Sequence, residues 1–258
     1  MNVGTAKPSS DELDQVRHHL INSLSIHDSY SAGQFETDAL ECILKIFSCS
    51  DYAILCGGSG LYVDLVCRGA DEMPARNEGL RIELNDLFKR EGIQAIQMKL
   101  KELDPEYYLS ADLNNPHRLI RAIEVCLTTR KKYSDLRTSK VNKRPFNIIK
   151  IGLEEDRELV YRMIDHRVDR MMNENLLDEA KSLFQFRDLN ALQTVGYSEL
   201  FDFLDGKLSL EEAVNLIRQH TRNYAKRQWT WFRKDKEITW FRPKDYNEII
   251  GYITSRAV

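Results

Sequence analysis

The sequence has no long hydrophobic run and little glycine or proline. No stretch of about 18 apolar residues could span a bilayer, and the N-terminal residues MNVGTAKPSSDELDQ contain no apolar core of a secretory signal. The 258 residues include 12 glycines and 6 prolines, and 42% are apolar against 30% charged, a balance typical of a folded globular protein. We therefore expect a helix-rich cytoplasmic protein without a membrane partner.

Cysteine pairs and metal-binding clusters are lacking as well. The five cysteines lie apart and form no C-x-x-C pair, so they indicate neither a zinc site nor redox chemistry and are expected to be small buried side chains. His18 and His19 are adjacent but have no third ligand at a suitable spacing, so no metal ligand is predicted in this chain. The net charge of −3 does not by itself indicate a nucleic-acid partner.

Positive charge is concentrated in one segment near the C-terminus. From Arg218 to Lys236 every charged residue except Asp235 is basic, and Trp229 and Trp231 lie between the cations. Basic side chains beside aromatic rings are typical of a nucleic-acid-binding surface. The segment also has a helical seam that can pack on a core while the cations face a polyanion. The seam consists of Val214, Ile217, Thr221, Tyr224, Gln228 and Trp231.

A short apolar segment followed by glycines predicts an α/β ligand site. Residues 52–56 (YAILC) have the length and flanks of a buried strand, and they lead into the glycine loop of residues 57–60 before another apolar helix. Glycines let the backbone approach a ligand closely, and Ser59 adds one hydroxyl. Taken alone, however, the pattern favours a simple turn between a strand and a helix.

The rest of the chain is predicted to be mostly helical. Ser31 can cap a helix that runs to about Phe47. The pattern over residues 78–130 is helical, with interruptions just before Pro105 and Pro116, because a residue that precedes proline is disfavoured in the α region. A second strand and three further helices are predicted at residues 146–153, 157–172, 177–186 and 209–232.

Several motifs occur in an order that is known from one family. The motifs are GTAKPS, HHLI, CGGSGLY, HRLIRAIEV, YRMIDHRVDRM, LQTVGYSEL and TRNYAKRQWTWFR. With these motifs the chain resembles the tRNA dimethylallyltransferases from Gly4 to about Phe241. The strings AKRQWTWFR and QTVGYSE are especially specific to that family, so the resemblance outweighs the arguments from composition.

The resemblance implies a fold, a reaction and a partner. The implied fold is α/β and helix-rich, with a P-loop-type parallel-sheet core at residues 1–75 and 146–258 and a helical tRNA-binding insert at residues 76–145. The implied reaction transfers a dimethylallyl group from dimethylallyl diphosphate to N6 of the adenine at tRNA position 37, next to the anticodon, with Mg²⁺ as cofactor. The partner is the tRNA anticodon stem-loop, and the protein is expected to act as a monomer.

The resemblance also implies two catalytic residues. Ser59 stands where the family usually has threonine, whose hydroxyl lies in the reaction channel near the diphosphate and the adenine. Arg227 resembles an arginine that neutralises the leaving diphosphate, and Arg222 is the second candidate for diphosphate binding. The competing interpretation is that both arginines are ordinary solvated helix charges.

The residues implied to bind tRNA come from several parts of the chain. Gln193 resembles a glutamine that reads the anticodon loop, because an amide can pair with the edge of a base. His117 and Arg118 begin a helix that contacts tRNA in the family. The full set is Ser59, Arg81, His117, Arg118, Arg121, Gln193, Gly196, Tyr197, Lys226, Gln228, Trp229 and Arg233.

One part of the family pattern is not present. Family members begin with a strand, a G-x-x-x-x-G-K-[ST] loop that holds the diphosphate, and an Asp-Ser-x-Gln segment that supplies the general base. We therefore expect a truncated form with impaired activity, from a misplaced start codon or a true loss, with the Mg²⁺ ligands mainly in the missing segment. Two other functions stay open, an adenylate isopentenyltransferase acting on a free nucleotide and a non-catalytic tRNA-binding protein.

Overall fold

The chain forms two compact units, each with its own hydrophobic core. A computed structural model describes residues 1–5, 7–138 and 141–256. The first unit, here called the discontinuous unit, comprises Met1–Cys67 and Arg144–Val258, and the second, the helical unit, comprises Arg68–Lys143. Ala6 of the GTAKPS motif lies outside the described residues.

The N-terminal part of the discontinuous unit contains short and medium helices. These are α1 (Ser10–Gln15), α2 (Ala32–Phe47) and α3 (Gly60–Arg68). Ser31 caps α2 as predicted, and its side chain accepts a hydrogen bond from the backbone amide of Gln34. The strand predicted at residues 52–56 is wrong. In the described part of the chain this segment pairs with no other strand, and Ile54 is 89% exposed because nothing covers it.

The helical unit consists of helices joined by short turns. They are α4 (Glu78–Leu103), α5 (Pro105–Ser110), α6 (Pro116–Thr129) and α7 (Tyr133–Leu136). The predicted interruptions are confirmed, since Asp104 and Asn115 cap helices that begin with proline, where a missing N–H costs nothing. Helix α4 bends at Gly92, whose φ of 77° favours glycine. The buried core of the unit includes Ile96, Leu100, Leu119 and Ile123.

The C-terminal part of the discontinuous unit contains a small sheet and further helices. The elements are β1 (Ile151–Leu153), α8 (Arg157–Asn173), α9 (Leu176–Leu183), α10 (Ser198–Leu204), α11 (Leu210–Phe232), β2 (Thr239–Phe241) and α12 (Tyr246–Arg256). Strands β1 and β2 run parallel, with Gly152 opposite Trp240. Of the second predicted strand, residues 146–153, only Ile151–Leu153 forms a strand, which is β1. The helices predicted after it are confirmed as α8, as α9 with a 3₁₀ turn, and as α11 with Ser209 as its cap.

The core of the discontinuous unit lies where helices α8 to α11 pack together. Tyr197 is fully buried there, and its hydroxyl donates a 3.0 Å hydrogen bond to Glu179. The N-terminal residues dock on the same carboxylate, because the backbone amides of Asn2, Val3 and Gly4 all donate to Glu179. The GTAKPS motif therefore begins at a polar contact with the core.

The structure confirms the helix-rich prediction and contains parallel strand pairing in its small sheet. Within the described ranges, no helix combines the length and the apolar character needed to cross a bilayer. Cys126 is buried as expected, but the expectation is wrong for Cys49 and Cys56, which are exposed. Cys56 is exposed because it ends the segment that has no partner strand.

Candidate active site

The glycine loop lies against one face of α11. A Cβ atom on Gly58 would collide with the side-chain amide of Gln228, and one on Gly60 would collide with the indole ring of Trp231. At Gly60 the rigid Trp231 ring occupies the space that a larger residue would need, whereas at Gly58 the obstructing atoms are the end of the flexible Gln228 side chain. The helical seam predicted in the sequence thus meets the glycine loop at these two side chains.

Ser59 places its hydroxyl beside the hydroxyl of Tyr224. The distance between Ser59 Oγ and Tyr224 Oη is 3.4 Å, and either atom can donate. On α3, Asp64 accepts a 2.8 Å hydrogen bond from the indole N–H of Trp231. Two polar contacts and two glycine contacts therefore fasten the loop and the start of α3 to α11.

Arg227 is an exposed cation at this junction. Its guanidinium carbon lies 5.5 Å from the centroid of the Tyr224 ring, within the range of a cation–π interaction. No ion pair joins Arg227 to a carboxylate of the described residues. Its charge is therefore available to an anion that approaches the glycine loop.

Arg222, five residues earlier on α11, is engaged differently. Its guanidinium binds both carboxylate oxygens of Asp165 on α8, at 2.5 and 2.6 Å, and stacks 5.6 Å from the ring of Tyr161. Both bonds come from one guanidinium nitrogen, Nη2, and the Asp165 carboxylate offsets the charge of Arg222 locally. The structure therefore distinguishes the two arginines that the sequence offered for the diphosphate, since among the described residues a carboxylate pairs with Arg222 and none pairs with Arg227.

An open cleft runs along the exposed side of α11. Arg233 lies 3.6 Å from a carboxylate oxygen of Glu154, whereas exposed Lys226 has no ion pair in the part of the chain that the structure describes. Trp229 is half-buried between these cations. The cleft is lined by Glu154, Glu155, Arg157, Lys226, Trp229, Thr230 and Arg233. Gln228, the other tRNA candidate of this helix, faces the glycine loop instead.

The segment of residues 193–197 places its predicted residues in different environments. Gln193 is exposed, and its amide N–H donates to the Arg187 carbonyl at 2.6 Å. Gly196 is buried with a φ of 100°, and its backbone N–H donates to the carboxylate of Glu199 at 2.8 Å. The structure thus gives Gly196 a conformational role instead of an exposed surface for tRNA.

Tyr197 is also placed away from solvent. Its side chain has no exposed surface, so the expectation that this side chain contacts tRNA does not fit the structure. Burial, and then the nearby Glu179 carboxylate, raise the pKa of Tyr197 above its ordinary range, so the hydroxyl stays protonated and donates. Tyr197 therefore holds the Glu179 carboxylate within the core.

The cations predicted in the helical unit also separate into two groups. Arg81 and Arg121 both pair with the fully buried carboxylate of Glu124, with N···O distances of 3.7 and 3.1 Å. Arg121 also donates to the carbonyl of Pro74 at 2.7 Å. His117 and Arg118, by contrast, are exposed on the first turn of α6. The exposed pair is available to a nucleic acid, whereas the other two arginines hold the unit together.

Sequence reasoning missed Asp64 and Glu199, and it treated Tyr224 only as a packing residue. Glu199 accepts hydrogen bonds from Gly196 and from Nδ1 of His220, so it joins the Gln193 segment to α11. A buried acid next to a motif glycine could have signalled this role. No pattern in the sequence indicates which hydroxyl Tyr224 meets, because its partner is 165 residues away.

The residues described here do not form a Mg²⁺ site. No group of three or more histidine, cysteine, aspartate or glutamate side chains within residues 1–5, 7–138 and 141–256 is arranged to hold a metal ion. Hard cations such as Mg²⁺ need several oxygen ligands in a near-octahedral arrangement.

A family profile and individual known proteins match the sequence over nearly the whole chain. The sequence profile of the IPP transferase family matches residues 1–235. The tRNA dimethylallyltransferase 1 of Bacteroides thetaiotaomicron is 44% identical over 253 residues, which cover 98% of this chain and 82% of that protein. The tRNA dimethylallyltransferase of Christiangramia forsetii is 47% identical over 257 residues, which cover 99% of this chain and 85% of that protein.

Solved structures agree with the sequence relatives. The tRNA isopentenylpyrophosphate transferase of Bacillus halodurans has a TM-score of 0.70 and 36% identity, covering 100% of this chain and 84% of that chain. A eukaryotic dimethylallyltransferase acting on tRNA has a TM-score of 0.74 and 22% identity, and the match covers 99% of this chain and 67% of that chain. At this identity the likeness shows the fold alone. The expectation of a truncated, impaired form gains no support from these alignments, which extend over 98% or more of this chain.

Proposed function

The chain belongs to the IPP transferase family, and from that premise we propose that it transfers a dimethylallyl group from dimethylallyl diphosphate to N6 of the adenine at tRNA position 37. The observation that carries the proposal is the junction of the glycine loop with α11, where the Ser59 hydroxyl and the exposed guanidinium of Arg227 both contact Tyr224. The names of the two curated relatives support this choice of reaction.

The reaction explains why these side-chain types are needed. The adenine N6 forms a bond to C1 of the dimethylallyl group, the C1–O bond to the diphosphate breaks, and N6 loses its proton to a base. Negative charge grows on the leaving diphosphate, so a fixed cation and a hydroxyl donor beside it lower the barrier. Arg227 supplies the cation in this proposal, and Ser59 supplies the hydroxyl.

Binding of tRNA is proposed to use the exposed residues of both units. In the discontinuous unit these are Lys226 and Arg233 along α11 together with Gln193, with the half-buried Trp229 beside the two cations, and in the helical unit they are His117 and Arg118. Cations beside an aromatic ring suit an unstacked nucleotide, because the ring stacks on the base and the cations meet the phosphates. An adenine that must leave its stack to react needs such contacts around it.

Three finer features belong to the same proposal. The core is proposed to be of the P-loop type and the protein to act as a monomer. Mg²⁺ is proposed as cofactor, and it would neutralise charge on the diphosphate oxygens. Its ligands would not be a cluster of the residues that the structure describes. Arg222 keeps a secondary role near the diphosphate, because its pairing with Asp165 reduces its free charge.

A transfer assay tests the proposed function directly. The chain is incubated with dimethylallyl diphosphate, Mg²⁺ and either an anticodon stem-loop or free adenylate, and products are identified by mass spectrometry. We expect one dimethylallyl group on adenine 37 of the stem-loop. Modification of free adenylate alone would favour an adenylate isopentenyltransferase. Tight stem-loop binding without any transfer would favour a non-catalytic tRNA-binding protein.

A further inference from the structure

We propose that Tyr224 is a positioning residue that fixes both predicted catalytic groups. Its hydroxyl orients the hydroxyl of Ser59, and its ring holds the guanidinium of Arg227. The inference rests on the proposed function, because it concerns the same site.

The geometry places Tyr224 between the two groups. Its hydroxyl lies 3.4 Å from Ser59 Oγ on the glycine loop, and Arg227 follows it by three residues, so both side chains lie on the same side of α11. The Arg227 guanidinium carbon lies 5.5 Å from the ring centroid. Tyr224 is 41% exposed, so it does not fill the core.

The hydrogen bond to Ser59 and the ring contact with Arg227 each restrict the rotation of a mobile side chain. A serine hydroxyl rotates freely unless a partner fixes its proton. When Tyr224 donates to Ser59 Oγ, the serine proton is directed away from Tyr224 and is free for an oxygen of the diphosphate. The long side chain of Arg227 has many rotamers, and stacking on the Tyr224 ring restricts them before substrate binds. Groups oriented in advance stabilise developing charge without reorganisation during the reaction.

Tyr252 provides a matched control in the same chain. Its hydroxyl accepts a 2.8 Å hydrogen bond from Thr239 Oγ1, and the guanidinium of Arg256 lies 5.5 Å from its ring centroid. The contacts of Tyr252 are therefore of the same two types as those of Tyr224. They lie at β2 and α12, however, and not at the glycine loop.

The ring contact is tested by the binding of inorganic diphosphate, measured by titration calorimetry. Tyr224→Leu should weaken binding about threefold, and Tyr224→Phe, which keeps the ring, should bind like the unsubstituted chain. In the Arg227→Ala background, Tyr224→Leu should have no further effect. Equal affinity for Tyr224→Leu and the unsubstituted chain, or additive losses in the double variant, would overturn this half of the proposal.

The hydroxyl contact is tested by single-turnover transfer at saturating stem-loop. Tyr224→Phe and Ser59→Ala should each slow transfer by roughly 3- to 10-fold, more than they weaken stem-loop binding, and the double variant should be no slower than Ser59→Ala. Tyr252→Phe and Tyr252→Leu should transfer at the original rate. Multiplying losses in the double variant, or equal losses in the Tyr252 and Tyr224 variants, would refute the assignment.

The two measurements separate the role of Tyr224 from the proposed function. If the chain modifies the stem-loop while Tyr224 variants behave like Tyr252 variants, the role of Tyr224 fails and the function stands. If the chain modifies no stem-loop while diphosphate binding shows the coupling between Tyr224 and Arg227, the function fails and the ring contact stands.

Discussion

The backbone amide of Asn77 donates a 2.6 Å hydrogen bond to Oε1 of Glu124, a carboxylate with no exposed surface. This bond joins the cap of α4 to the middle of α6. The same carboxylate pairs with Arg81 and Arg121, and their positive charges offset the cost of burying a negative charge. Glu124 is thus the point at which the start of α4 is fixed within the helical unit.

Glu124→Ala is expected to destabilise the helical unit strongly. It would leave the Asn77 amide without its acceptor and two part-buried arginines without their carboxylate, and removing one partner of a buried charge network costs about 3 kcal/mol or more. The free energy of unfolding, measured by urea denaturation, should fall by that amount. Glu102→Ala, at an exposed position of α4, is the control and should change little. Similar values for the two variants would show that the network is not important for stability.

The helix caps and interruptions could be predicted from the sequence because their causes are local. Ser31, Asp104 and Asn115 each cap a helix through a hydrogen bond to a residue three positions later. Glu124 could not be predicted in the same way, since Asn77 lies 47 residues away. The strand at residues 52–56 was mispredicted because apolar composition alone does not provide a neighbouring strand.

The candidate site was predictable only in part for the same reason. Periodicity placed Tyr224, Gln228 and Trp231 on one side of α11, and motif matching singled out Ser59. Neither observation could show that these residues meet at the glycine loop. Motif matching also could not tell a buried residue from an exposed one, which is why Tyr197 was expected at a tRNA surface.

Stability is expected to depend on pH through Glu179. Burial favours its neutral form, but hydrogen bonds from Asn2, Tyr197, Val3 and Gly4 outweigh this effect and lower the pKa of Glu179. Because the pKa of Glu179 is lower in the folded chain than in the unfolded chain, its ionised form stabilises the fold. This contribution to the free energy of unfolding is complete above the ordinary pKa of about 4.3 and is lost as the pH falls through the lower pKa of the folded state.

The test of this dependence compares urea unfolding at several pH values. Between about pH 5 and 3, the unfolding free energy of the unsubstituted chain should fall more steeply than that of Glu179→Gln, which cannot titrate at this position. Glu102→Gln serves as the exposed control and should keep the original slope. If Glu179→Gln retained the full slope, the carboxylate would not be a source of acid sensitivity.

The cations of α11 are expected to differ in how they respond to salt. Lys226 is exposed and has no ion pair in the described part of the chain, whereas Arg222 is paired with Asp165. Lys226→Ala should lower the slope of log affinity against log salt by roughly 0.7 to 0.9 for an anticodon stem-loop. Arg222→Ala should change this slope much less.

Fluorescence anisotropy of a labelled stem-loop between about 50 and 200 mM salt measures these slopes. Both variants should be compared at the same temperature, with binding to a scrambled stem-loop as the reference for sequence-independent contacts. A larger change for Arg222→Ala than for Lys226→Ala would mean that the Asp165 pair opens when RNA binds and that Arg222 also meets a phosphate.

The close contact between Gly58 and Gln228 leads to a prediction with an internal control. A Cβ atom on Gly58 would meet the Gln228 amide, whereas one on Gly57, the preceding residue, would meet nothing within 4 Å. Gly58→Ala should therefore force the end of the Gln228 side chain or the loop that carries Ser59 to shift, and transfer should slow, by up to roughly 100-fold where the loop moves by about 1 Å. Gly57→Ala should transfer the dimethylallyl group at nearly the original rate.

The cause of the loss can then be tested by removing the obstructing side chain. Gln228→Ala opens the space beside Gly58, so the double variant of Gly58→Ala with Gln228→Ala should transfer faster than Gly58→Ala alone. Rates are measured in a single turnover at saturating stem-loop, because Gln228 is also a candidate for tRNA binding. A double variant as slow as Gly58→Ala would mean that the loop needs glycine at position 58 for a reason other than its contact with α11.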